Sequence, residues 1–249
     1  GAAIIETERR VEALRAEALK KCGSAELFSA VFVPDGAEDD EGIVVLWRRF
    51  TPIEFGAWID RPSSVVDTIN TAMDVILSID DKLGRDIPAA VNHLADLMDF
   101  ALGSVLAEAA RPLGFIPAAE VMTATLGRKT TEADLERFGL GADVLALREK
   151  YSDPGQLRMV KAAELPGLVV RRPTREEMAR ALKAKMHAGS VALATSCIVS
   201  PAAIEARREL LTATPGLGAT LFPVFREMRQ SGATLEGKGG RSISPPRVT

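Results

Sequence analysis

The chain has few of the residues that most often carry chemistry. Only two of its 249 residues are histidine and two are cysteine. His93 and His187 fall in no H-x-x-x-H or H-E-x-x-H spacing, so a zinc hydrolase would have too few ligands. Cys22 and Cys197 lie far apart and form no C-x-x-C, which excludes a disulfide framework and a cysteine-based zinc site and reads both as small core side chains. Aromatic residues make up 5% of the chain, too few for a base-stacking platform. The 31 basic and 34 acidic side chains sum to −3 and leave no footprint for a polyanion. Nucleic acid is therefore not an expected partner. Long apolar runs are missing as well: the longest, LMDFALGSVLAEAA from Leu97, carries Asp99 and Glu108 and is too short to span a bilayer, so no membrane partner is expected. ETERR follows directly on Ile4 and Ile5, giving no signal peptide, and a reducing, cytoplasmic setting is the expectation.

Phosphate-binding loops are missing too. GLGADVL and GLGATLF begin G-x-G without the third glycine, and GKGGRS is not in P-loop order, so these glycines read as helix stops and no cofactor is expected. The acidic pairs Asp39–Asp40 and Asp80–Asp81 read as loop residues. An enzyme reading rests on scattered residues: His93, with Asp96 three positions on to hold its tautomer, as base, or Cys197 as nucleophile. No oxyanion-type glycine loop accompanies Cys197, and SVALATSCIV reads as a buried segment. The weight falls on binding rather than catalysis, and no catalytic or metal-ligating residue is assigned.

What is present is an ordinary globular composition, 47% hydrophobic and 26% charged, able to bury a core. Residues 1–24 predict an amphipathic helix with Ile4, Val11, Ala18 and Leu14 on a narrow stripe. LFSAVFV and GIVVLW, separated by the acidic turn PDGAEDDEG, predict a β-hairpin. From Thr51 to about Ala110 the pattern is helical. Residues 113–160 predict a middle helical segment, with SDPGQ as a linker turn. A second strand-to-helix stretch occupies residues 161–230, and the Gly/Ser/Pro-rich residues 231–249 predict a flexible tail.

Two of these stretches match. LWRRFTPIEF and VVRRPTREEM align at an offset of 174 − 51 = 123, pairing Arg48 with Arg171, Arg49 with Arg172, Thr51 with Thr174 and Glu54 with Glu177. Each Thr is followed three residues later by Glu, the reciprocal N-cap in which Thr accepts from the N3 amide and Glu from the N-cap amide. Pro52 suits N1 of the first helix. PAAVNHLADL from Pro88 aligns with PAAIEARREL from Pro201 at 201 − 88 = 113, leaving ten extra residues, 123 − 113, around SIDDKLGRD in the first copy. The expected fold is mainly α with short β segments, α+β, built from two diverged copies of a strand-to-helix unit (residues 25–112 and 161–230) joined by the middle segment. The arginines Arg48, Arg49, Arg171, Arg172 and Arg175 read either as a solvated basic face or as a grip on an acidic partner.

The second copy resembles the small tail assembly chaperone proteins of tailed bacteriophages. A short extended segment leads into R-R-P-T-x-x-E (Arg171 to Thr174, with Glu177). A helix ending in C-V-x-P follows (Cys197 to Pro201, with one extra residue before the proline), then an L-L…P-G-L helix (Leu210, Leu211, Pro215 to Leu217). The first copy keeps the arginine pair and T-x-x-E but has Phe50 in place of the proline and lacks the Cys and P-G-L. The resemblance implies a non-enzymatic binder acting on a tail-tube or tape-measure protein in the bacterial host cytoplasm, with the virion as a second location. It would shield apolar helix-forming segments in an exposed helical groove. Further copies of the same chain, in a homo-oligomer, are a second kind of partner.

Overall fold

A computed structural model describes residues 8–16, 27–34, 42–61, 64–79, 86–98, 100–151 and 155–231. The tail, the acidic hairpin turn, Cys22 and the Asp80–Asp81 pair lie outside these residues. The fold is α+β, with two small antiparallel sheets among the described residues, each packed against its own helices.

The first sheet forms where the β-branched runs predicted a hairpin: β1 (Leu27–Phe32) pairs with β2 (Ile43–Arg48), with Leu27 opposite Arg48 and Phe32 opposite Ile43. Helices α2 (Pro52–Asp60) and α3 (Val65–Val75) follow, and the chain passes from Val75 directly into β3 (Ile76–Ile79), the third strand on β2. Helices α4 (Ile87–Leu97) and α5 (Ala101–Ala110) complete this half. β2 is buried on both faces. Val45 and Trp47 point to the helices, joining Phe55, Leu94 and Leu106 in the core. Val44 and Leu46 on the other face meet Val11 and Leu14 of helix α1 (residues 8–16). Sealing both faces explains why IVVLW is a continuous apolar run rather than an alternating one.

The second half has the same order of elements. β5 (Leu157–Ala162), β6 (Leu168–Arg171), α8 (Arg175–Lys183), α9 (Met186–Cys197), β7 (Ile198–Ser200), α10 (Ile204–Ala213) and α11 (Leu217–Ser231) repeat the succession ββααβαα. The register irregularity recurs as well. β2 and β3 slip between Leu46 and Trp47, and β6 and β7 slip between Val169 and Val170, 123 residues on. One addition distinguishes this half: β4 (Val121–Thr125) pairs with β5 and makes a four-stranded sheet in the order β4-β5-β6-β7. The outer face is covered by the segment carrying α6 (Glu132–Arg137) and α7 (Leu147–Lys150), through Leu135, Phe138 and Val144 against Met159 and Val169. Residues 113–160, expected to be helical, thus contain β4 and most of β5, and the boundary expected at 160 falls inside β5. The Pro88 and Pro201 anchors do not occupy the same place: Pro88 lies in the first turn of α4, whereas Pro201 precedes α10.

The halves meet where α2 packs on α9. The His187 amide, in the first turn of α9, donates to Asp60 Oδ1 at 2.8 Å. Lys185, the N-cap of α9, makes no side-chain cap bond, so Asp60 on α2 supplies the capping carboxylate from across the joint. The His187 and Phe55 rings meet in a T-shaped arrangement, 5.6 Å between centroids. A second seam joins residues 113–116 to the start of α11. Gly216 N–H donates to Leu113 O at 2.7 Å, and Thr220 Oγ1 accepts from Ile116 N–H at 2.8 Å and donates to Gly114 O at 3.1 Å.

Candidate binding surface at the strand-to-helix corners

Each strand exit is built around one arginine. Arg48 donates to both carboxylate oxygens of Glu54, at 2.7 and 2.8 Å, and to the backbone carbonyl of Asp74 at 2.8 Å. Arg171 donates to both oxygens of Glu177, at 2.6 and 2.9 Å, and to the carbonyl of Ser196 at 3.1 Å. Asp74 and Ser196 lie in the last turns of α3 and α9. Each planar guanidinium therefore ties a strand end to the start of one helix and the end of the next. At the helix end it satisfies a carbonyl that has no intrahelical partner and meets the negative pole of the helix. Thr51 and Thr174 close the capping boxes that the T-x-x-E spacing predicted. Glu54 and Glu177 thus do double duty, accepting from the N-cap amide at 2.9 and 2.8 Å as well as from the arginine. The arginine bonds, helped by the Thr amides and opposed by burial, hold both carboxyls at about 2.

The structure separates the five arginines proposed for partner contact. Arg48 and Arg171 are engaged within the fold. Arg172 is half-buried and reaches the Gly155 carbonyl at 3.4 Å. Arg49 and Arg175 are exposed and keep their guanidinium groups at the surface. The arginine–glutamate clamp was not read from the sequence, although R-x5-E recurring at both corners is a visible signal for it.

Beside the second corner lies a groove of about 150 Å³ between α8 and α9. Small side chains line it: Ala181, Ala184, Ala188 and Ala192, with Glu177 and Arg180 at the polar end. Gly189 makes the groove possible, because a Cβ there would stand 2.3 Å from the Ala181 carbonyl oxygen and drive the helices apart. A wider, open hollow of about 470 Å³ sits by β4 and α6, with Phe138 and Met159 in its floor and Arg128, Lys129 and Arg137 on its rim.

The residues of the enzyme reading lie in different halves. His93 and Asp96 are exposed on α4, whereas Cys197 is fully buried in the second core, where burial pushes its thiol up to about 12. Cys197 is therefore a protonated core side chain at neutral pH. Among the described residues no three His, Cys, Asp or Glu side chains are placed to hold a metal ion, and no helix is long and apolar enough to cross a membrane. Comparison with protein-family models, curated proteins and solved structures finds no match for this chain.

Proposed function

We propose that the protein is a non-catalytic binding protein of tailed-phage tail assembly, holding an apolar helical segment of a tail-tube or tape-measure protein. The observation that carries this reading is the groove between α8 and α9. Its alanine lining lets a partner helix lie close to both backbones and bury an apolar i, i+3, i+4 face, while Arg180 and Glu177 give it a polar end to fix register. The residues that carry the resemblance to tail assembly chaperones lend further support, because apart from Leu210 and Leu211 within α10 they sit at the element junctions of the half that contains the groove. Arg171 to Thr174 form the β6–α8 corner, Cys197 to Pro201 run from the end of α9 through β7, and Pro215 to Leu217 open α11. The matched corners, sheet irregularities and element order support reading the first half as a diverged copy of the second. The site of action would be the host cytoplasm during assembly, with retention in the particle a further possibility of the same reading.

The test is co-expression with tail-tube and tape-measure proteins, taken from the neighbourhood of the gene where it holds them, followed by size-exclusion chromatography. The wild type co-elutes with one of them, and Ala188→Trp, which fills the groove from an exposed position, abolishes co-elution while leaving the circular dichroism spectrum unchanged. Co-elution of Ala188→Trp at the wild-type level, or of neither tail protein with the wild type, overturns the reading.

A further inference from the structure

The joint between the halves is heterologous: the α2 face of the first half meets the α9 start of the second, and these are different surfaces of the common ββααβαα unit. Such a joint uses one surface of each half and leaves the complementary pair unused. The unused counterpart of the α2 face is on α8. At the 123-residue offset fixed by the corners, Gly56, Ile59 and Asp60 correspond to Ala179, Leu182 and Lys183. The unused counterpart of the α9 start is on α3. The helix ends Asp74 and Ser196, which accept from equivalent arginines, set an offset of 196 − 74 = 122, so His187, Ala188 and Gly189 correspond to Val65, Val66 and Asp67.

Both unused surfaces are open and carry exposed apolar side chains. Leu182 is 62% exposed, against a half-buried Ile59, while Val65 and Val66 are 72% and 65% exposed at the very start of α3. Phe100, one residue before α5 as Gly216 is one residue before α11, is 63% exposed. α3 packs on α5 as α9 packs on α11, so these side chains belong to the end of the first half that matches the occupied end of the second. The charges complement as well. Within the chain the carboxylate of Asp60 meets a helix start whose first turn holds no acid. On the unused surfaces Lys183 stands at the Asp60 position, and Asp67 lies in the first turn of α3.

We propose that this protein associates head to tail with further copies of itself, the outer face of α8 on one copy packing against the start of α3 on the next. Leu182 buries against Val65 and Val66, and Lys183 pairs with Asp67, repeating between chains the joint that holds the two halves of one chain together. An interface of this kind has a free complementary surface at each end, so it grows into a ring or an open filament rather than stopping at a twofold dimer.

Sedimentation and light scattering on the full chain test this through complementation of two blocked variants. Leu182→Glu blocks one end and Val66→Glu the other; both substitutions are at exposed positions, and circular dichroism checks that the fold is kept. The wild type should rise in mass with concentration, each variant should associate about tenfold or more weakly, and an equimolar mixture of the two should form a one-to-one dimer and grow no further. Should either glutamate variant misfold, Lys183→Glu and Asp67→Lys serve instead, each weakening association alone and restoring it when both are present in one chain. The proposal is overturned if the wild type stays monomeric up to about 1 mM, the range of very weak affinity. It is equally overturned if it forms a closed dimer insensitive to these variants, or if the mixed variants remain monomeric.

Discussion

Arg171 donates to four acceptors set by its planar fork, two carboxylate oxygens and the Ser196 and Arg172 carbonyls, and a lysine in its place would keep the charge but lose that geometry. Its twin Arg48 makes the matching set of bonds, so in each arginine pair the inner residue locks the corner, while the outer one is exposed at the first corner (Arg49) and half-buried at the second (Arg172). Glu54 and Glu177 report the lock through pH. Their carboxyls lie at about 2 in the folded chain against an ordinary 4.5, so their contribution is complete above about pH 4.5 and is lost as pH falls toward 2. The double variant Glu54→Gln/Glu177→Gln lacks these titrations. Across pH 4.5 to 2 its melting temperature should fall less steeply than that of the wild type, as scanning calorimetry would show; parallel slopes would mean that the clamps do not stabilise the fold.

At the scale of the elements, close approach of α8 and α9 depends on a missing side chain. Gly189→Ala places a Cβ against the Ala181 carbonyl oxygen and should destabilise by about 1–3 kcal/mol through overpacking. Gly103→Ala on the exposed side of α5 meets no atom within 4 Å and should stabilise by up to about 1 kcal/mol. Urea unfolding of the two variants separates them, and equal effects would show that the helices tolerate a wider spacing. The helix starts at Thr51 and Thr174 were legible because a capping box is local, with donor, acceptor and spacing all lying within four residues. β3 and β7 were not legible. Val75 runs into Ile76 and Cys197 into Ile198 with no Gly or Pro between, and a short apolar run carries no period that separates a helix end from a strand. β5 was hidden for a different reason: Arg158 and Lys161 break its apolar run, and its inward side chains are recognisable only once β4 and β6 flank it. A helical groove was expected from the resemblance alone, but its place and lining were out of reach, because the lining comes from two helices and their approach depends on one glycine against one carbonyl.

Over the whole molecule, two units of one element order are held by a joint in which a carboxylate from the first half caps a helix of the second. That arrangement leaves the α8–α9 groove on the surface. Hydrogen–deuterium exchange on the purified complex tests most directly whether this groove receives an apolar helix of a tail protein, as proposed. Binding should slow exchange of amides in α8 and in the groove-facing turns of α9, from Ala188 to Ser196, while α4 around His93 exchanges as in the free protein. Unchanged exchange in α8 and α9, with protection appearing around His93 or elsewhere in the first half instead, would contradict the account.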